Sequence, residues 1–265
     1  MSGVLNVLLN LFFVAVLHMT VNGVAIATVI ANAFSSALLF RRLLRSGKDI
    51  RLEPRRLRMD GRSLWMILRI GLPAGLQSAV FAISNIVIQS AINSLGKVVM
   101  AASSAAYNIE VFAYDVMNSY NQAGTTFVGQ NYVAGQIRRC RKTLYLCLIE
   151  DAVSLGATVA LVLLTGHFLL SIFNNDPQVI ALGYDRLKIV FFAYIFSLLY
   201  EVMSGYLRGF GISLVPAALT ALGVCGIRIA WIHFVFPQHP TLQTIMTSYP
   251  VSLSATALMI FIALL

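Results

Sequence analysis

Apolar residues gather into eight long runs, approximately 3–18, 22–44, 71–95, 99–129, 143–173, 179–207, 214–236 and 243–265. Most reach the roughly 20 residues that an α-helix needs to cross the hydrocarbon core of a bilayer. Breakers stand between them: His18 to Gly23, the charged stretch 45–62, Gly96-Lys97, Gly129 to Lys142, Asn174-Asn175-Asp176-Pro177, Arg208 to Pro216, and Pro237 to Pro240. The pattern predicts an all-α, polytopic membrane protein with about eight transmembrane helices. Within 57–69 it predicts a separate, short amphipathic helix on the membrane surface. Leu57, Leu64, Trp65 and Leu68 form its apolar face, and Arg55, Arg58, Arg62 and Arg69 its basic face.

Composition sharpens this picture. Of the 265 residues, 58% are hydrophobic and only 11% charged, against about 25% charged in an ordinary soluble domain. A soluble globular fold, a disordered chain and a disulfide scaffold are excluded. The net charge of +9 does not mark a nucleic-acid binder, because of where the charge falls. Ten of the 19 basic residues lie between Arg41 and Arg69, and four more between Arg138 and Lys142. By the positive-inside rule these are loops retained in the cytoplasm. Eight alternating spans put 45–70, 130–142 and 208–213 inside, with Lys97, Arg186 and Lys188 at or near the outer end. The expected location is the plasma (inner) membrane, with membrane lipid as a partner and nucleic acid as none. Cys140, Cys147 and Cys225 have no metal-binding spacing and read as reduced thiols, Cys140 in a basic loop. The first run is short and Leu265 closes the last without a polar tail, so both ends read as cut. A faint repeat relates Gly3–Ile30 to Gly223–Pro250, each a pair of spans; two related halves are a common plan in secondary transporters.

A charge at the bilayer centre costs about 2.5–3.5 kcal/mol on insertion scales, so polar residues inside the runs mark a cavity or a partner. The run 99–129 holds most of them. Tyr107, Glu110, Tyr114, Asn118, Asn121 and Thr125 step by three or four and share a helical face; Asn108, Asp115 and Gln122 step by seven beside them. Such a face looks into water or protein, as a cavity lining or as glue between helices. Ser78, Asn85, Gln89 and Asn93 make a second stripe, behind Gly71-Leu72-Pro73-Ala74-Gly75, which permits a bend. Ser197, Glu201, Ser204 and Arg208 make a third, in which Glu201 either faces the cavity or pairs with Arg208. Rise per residue separates Glu110 from Glu201 in depth, so they read as two stations rather than a shared-proton pair. Arg228 reads as half of a structural ion pair, and Glu150 and Asp151 as a solvated or paired helix end. Nucleotide-binding loops, zinc-protease motifs and aspartate-rich repeats are absent from the sequence, and His18, His167, His233 and His239 sit near outer loop ends. The chain is not expected to be an enzyme or to hold a metal or cofactor.

Three segments resemble one family. Thr125-Thr126-Phe127-Val128-Gly129-Gln130-Asn131-Tyr132-Val133-Ala134-Gly135 is similar to the Val-Gly-Gln-Asn-x-Gly-Ala-Gly signature of multidrug and toxic compound extrusion (MATE) transporters. Tyr206-Leu207-Arg208-Gly209-Phe210-Gly211 with Pro216 resembles that family's Leu-Arg-Gly-x-Gly-Asp-x-x-x-Pro, and Gly71-Leu72-Pro73 the start of its seventh helix. Val133 replaces a usual glycine, and Ile212 or Ser213 stands where Asp is usual. The resemblance implies twelve spans in two six-helix lobes around a cavity. It assigns 1–44 to the last two helices of a truncated first lobe, 45–70 to a cytoplasmic linker with the amphipathic helix, and 71–265 to the second lobe. It also implies a first-lobe cation or proton site at Asn6, Asn10 and Thr28, with Asn10 in place of the family's Asp. No acid occupies the Val80-Phe81-Ala82 region, where some relatives carry one.

Together these readings predict a secondary transporter of the multidrug (xenobiotic) efflux type. It exports organic cations or amphiphiles in exchange for H+ or Na+ by alternating access. The expected coupling residues are Glu110, Glu201 and Asp115, with Asn6, Asn10 and Thr28. Glu110, poorly solvated when charged in an apolar span, is the expected proton carrier. The expected substrate cavity holds Tyr107, Asn108, Tyr114, Asn118, Asn85 and Gln89, and the missing N-terminal part of the first lobe is the required partner. Alternatives are a related lipid-linked saccharide flippase, a membrane enzyme such as a prenyltransferase, and a non-functional fragment.

Overall fold

The structure, a computed structural model, describes residues 2–47, 58 and 60–265. It divides into two compact units, Met1–Ser63 and Leu64–Leu265. In the first, α1 (Ser2–Leu11) continues through a π-helical turn at Phe12–Val16, reverses, and pairs with α2 (Val21–Arg45). His18 makes the reversal at φ 51°, in the left-handed region that side chains seldom occupy. Gly23 lets the returning helix close on the turn: a Cβ there would lie 2.7 Å from Met19 Cβ. Of the expected surface helix at 57–69, Leu57 and Arg55 lie outside the described residues. From Gly61 onward there is no separate element, because α3 runs unbroken over Gly61–Ser94, through Pro73. Asp60 caps it, accepting from the Ser63 amide (2.9 Å) and hydroxyl (2.6 Å). These bonds hold the Asp60 carboxyl below the usual carboxylate range.

The second unit continues through α4 (Lys97–Val133), α5 (Ile137–Phe173), α6 (Pro177–Gly209), α7 (Leu214–Thr220), a π-helical stretch at Ala221–Gly226, α8 (Ile227–Phe234) and α9 (Leu242–Leu264). Each apolar run of the sequence is thus occupied by helix. The connections follow local chemistry: Asp176 caps α6 by accepting from the Gln178 amide, with Pro177 in the first turn. Gly135 (φ 71°) and Gly211 (φ 81°) supply the left-handed residues that end α4 and α6. By length and composition six helices among the described residues can cross a membrane. The 37-residue α4 is outside that set because its amides and carboxylates lower its hydropathy. Exposed Leu161, Leu164, Phe168, Phe192, Ile195, Leu258, Phe261 and Ile262 make the outer surface apolar, far beyond what water tolerates on a monomer.

Helix α6 lies at the centre, buried along most of its length against α4, α5 and α9. In lipid, helices associate through close packing of small residues rather than through hydrophobic exclusion, and the α4–α6 seam is built so. Ala102, Ala106, Ala113 and Gly124 on α4 are buried, and Gly183, Gly205 and Gly209 on α6 admit the neighbouring backbone. A Cβ at Gly205 would stand 2.5 Å from the Asn121 carbonyl oxygen, and one at Gly209 would stand 2.6 Å from Val128 Cβ. Gly205→Ala should therefore destabilise the protein by about 1–3 kcal/mol, the range for overpacking a fixed interior. Gly156, with nothing within 4 Å of a new Cβ, provides the control: alanine there should be neutral or stabilising by about 0.5 kcal/mol. Thermal unfolding of both variants in detergent checks the pair. Equal behaviour would show that the seam yields.

Candidate functional site

A cavity of about 530 Å³ opens within the second unit. Its walls are Gln77, Ser78 and Asn85 of α3, Tyr107, Glu110, Tyr114, Asn118 and Asn121 of α4, Tyr194, Ser197, Glu201 and Arg208 of α6, Arg228 of α8, and Tyr249 and Leu253 of α9. The main polar stripe of α4 therefore supplies one wall. The neighbouring stripe does not: Asn108 and Asp115 are exposed on another face of α4, and the Asn108 amide bonds back to the Ser104 carbonyl at 3.0 Å. Gln89, also expected in the cavity, instead donates to Asn93 at 2.8 Å and does not line it.

Two carboxylates reach the cavity, and their partners differ. Glu110 receives a bidentate bond from Arg186, Nε to Oε1 at 2.7 Å and Nη2 to Oε2 at 2.9 Å. The same guanidinium also donates to Ser103 Oγ. Glu110 and Arg186 are each 4% exposed. Arg186, expected near the outer end, is thus nine residues inside α6 and deeply buried; it neutralises Glu110. Glu110, the expected proton carrier, is thus one half of a buried ion pair. Glu201 has no such cation. Asn121 Nδ2 donates to its Oε2, and Arg208, the other partner considered for it, donates to Gln77 Oε1 at 2.9 Å. Along α4, Glu110 and Asn121, the residue that binds Glu201, are about 16 Å apart. Arg228 forms no ion pair among the described residues, contrary to expectation. Its Nε donates to Ser252 Oγ at 2.9 Å and its guanidinium carbon lies 3.9 Å from the Tyr249 ring centroid, a cation–π contact.

Two further expectations are corrected. Cys140 is not in a loop but in the first turn of α5, fully buried with its Sγ 3.7 Å from the Val128 carbonyl. Asp151 is not a solvated helix end but is fully buried. In the first unit, the residues assigned by resemblance to a cation site are gathered by side-chain bonds. Asn10 Nδ2 donates to Asn6 Oδ1 at 2.9 Å, and Asn6 Nδ2 donates to Thr28 Oγ1 at 3.3 Å.

The sequence reading missed Arg186, Gln77 and the burial of Asp151. For Arg186 a signal existed: the stripe Ser197, Glu201, Ser204, Arg208 extends backward at helical spacing through Tyr194 and Val190 to Arg186. It missed also that the two glycine-bearing segments are one feature. Thr125 Oγ1 donates to the Gly205 carbonyl at 3.1 Å. Phe210 stands edge-on to both Tyr132 and Tyr206, with centroids 4.9 Å apart in each pair.

Membrane-length helices around a polar, partly charged cavity define a multi-pass membrane protein of transporter build. The MatE family model matches residues 73–232, more than half of the chain, and the chain belongs to that family. It is 20% identical over 207 residues to the multidrug export protein MepA of Staphylococcus haemolyticus, covering 78% of this chain and 46% of that protein. It is 22% identical to the probable multidrug resistance protein YoeA of Bacillus subtilis (90% and 52% covered). It is 27% identical to human multidrug and toxin extrusion protein 1 (86% and 40% covered). The chain spans about half the length of the curated relatives it matches. Among solved structures, MATE in the straight conformation superposes with a TM-score of 0.88 at 18% identity, covering 99% of this chain and 59% of that one. A transporter from Pyrococcus furiosus, described as of the MOP superfamily, superposes at 0.87 and 20% identity, with the same coverage.

Proposed function

We propose that this chain forms the second lobe, 71–265, and the last two first-lobe helices, 1–44, of a multidrug efflux transporter. The transporter exports organic cations or amphiphiles in exchange for H+ or Na+ by alternating access. The observation that carries this reading is the cavity, in which tyrosines and amides surround one carboxylate, Glu201, with no ion-pair partner among the described residues. Tyrosine faces attract cations, and a carboxylate that binds either an ion or a substrate couples the two, since a ligand shifts conformations only by differential affinity. The cavity charges also support a second reading. Glu110 is balanced by Arg186, which leaves Arg208 and Arg228 against Glu201, and an anionic amphiphile would suit that balance. The Pyrococcus transporter is itself described as having a binding pocket of reverse polarity that suggests a different function.

Tetraphenylphosphonium and tetraphenylborate have nearly the same shape and opposite charge. Equilibrium dialysis against the purified chain should show saturable binding of the cation, weakened at least tenfold by Tyr114→Ala. Preference for the borate would establish the second reading, and binding of neither would reject the cavity as a substrate site. We expect no export of cationic dyes by the chain expressed alone, because alternating access needs both lobes; robust export would show that two copies complete the cavity. Orientation follows from the basic loops. A cysteine placed at exposed Asn175 should react with an impermeant thiol reagent in intact cells, and one placed at exposed Arg139 should not. Native Cys140 cannot report, being buried. The reverse labelling would invert the topology.

A further inference from the structure

Asp151 is the least compensated polar group of the second unit. It is 0% exposed, and neither of its carboxylate oxygens has a hydrogen-bond partner among the described residues. It stands on the buried face of α5 between Cys147 and Leu155, where α5 packs on α4 and α6. The titratable groups facing it are few. From α6, which packs on α5, comes Glu201, on that helix's buried face. From α4 comes Tyr120, whose hydroxyl bonds Ser154, one turn along from Asp151, at 2.7 Å. On α5 itself are Cys147 and Glu150. None of these is a cation.

A lone carboxylate in such a place costs several kcal/mol and instead takes a counter-charge or a proton. A sodium or calcium ion calls for several oxygen ligands around it. Yet neither Asp151 oxygen has a hydrogen-bond donor among the described residues, and no cluster of three His, Cys, Asp or Glu stands among them. A proton needs no such shell. Glu201, meanwhile, is held as an acceptor by Asn121 and opens on the cavity. We propose that Asp151 carries a proton in this conformation, as an occluded neutral carboxyl in the core of the second lobe, where α5 packs on α4 and α6. The occupancy of Asp151 is independent of the exporter reading.

The test is infrared difference spectroscopy of the purified chain at neutral pH. The wild type should show a protonated-carboxyl C=O band that disappears in Asp151→Asn and persists in Glu201→Gln. Asparagine matches a neutral aspartic acid in shape, so Asp151→Asn should retain the thermal unfolding temperature; Asp151→Ser provides a second removal of the carboxyl should it not. Absence of the band in the wild type, or its survival in both Asp151 variants, overturns the proposal. A missing band together with sodium retained through desalting replaces the proton by a metal ion. A chain that shows the band while binding neither tetraphenyl probe would refute the exporter reading and leave the proton site standing.

Discussion

Arg186→Met should destabilise the second unit by about 3–5 kcal/mol, the range for removing one partner of a buried ion pair. The substitution leaves Glu110 4% exposed with both oxygens stripped of their donors and Ser103 without its partner. Most of the loss is the uncompensated charge rather than the missing attraction. The double variant Arg186→Met, Glu110→Gln should therefore recover much of it, because a neutral amide in the same place is far cheaper to bury. Unfolding temperatures of the two single variants and the double one, in one detergent, form the cycle that checks this. Simple additivity of the single losses would show that the pair is not coupled. For the same reason Glu110→Gln alone should lower stability, since Arg186 then keeps a charge opposed only by an amide.

Glu201→Gln should behave in the opposite way: small in stability and large in transport. Glutamine keeps a carbonyl oxygen that Asn121 Nδ2 can donate to, so the α4–α6 contact survives. It removes the one lining carboxylate that has no ion-pair partner among the described residues. In proteoliposomes holding the complete transporter, substrate movement driven by an imposed pH or sodium gradient should fall to background, while downhill exchange of substrate continues. Gradient-driven transport at the wild-type rate would remove Glu201 from the coupling scheme.

The sequence made the helices and one wall of the cavity legible for the same reason: both are periodic. Tyr107, Glu110, Tyr114, Asn118 and Asn121 recur every three or four residues, and a helix lays such residues on one face whatever surrounds it. The facing side chains were not legible. Arg186 meets Glu110 across 76 positions and Gln77 meets Arg208 across 131. Those pairings depend on the register in which α4, α6 and α3 pack, which is set by glycines and alanines that carry no polar signal. Charge counting also misled where it met burial. Span alternation puts Arg186 near the outer end; in the structure it is buried, and the cost of a cation there is met by Glu110 and Ser103. Asp151 beside Glu150 read as a polar helix end because neighbours in sequence point in different directions on a helix, and only the aspartate turns inward. The surface helix at 57–69 merged with the span after it because Gly61 to Arg69 already follow helical geometry, so no break was needed to enter the run.

The α4–α6 seam also has a mechanical consequence. The two helices touch backbone to backbone near one end, where Gly183 faces the Ala102 carbonyl, and again near the other, where Gly209 faces the Thr125 carbonyl. Contact at both ends, with Thr125 bonded to the Gly205 carbonyl between them, leaves no room for one rod to slide or roll on the other. They act as a single beam of about 50 Å. A flexing motion of this half has to fall elsewhere along the chain, and the π-helical stretch at Ala221–Gly226 opposite Pro250-bearing α9 has the irregular backbone that bending requires.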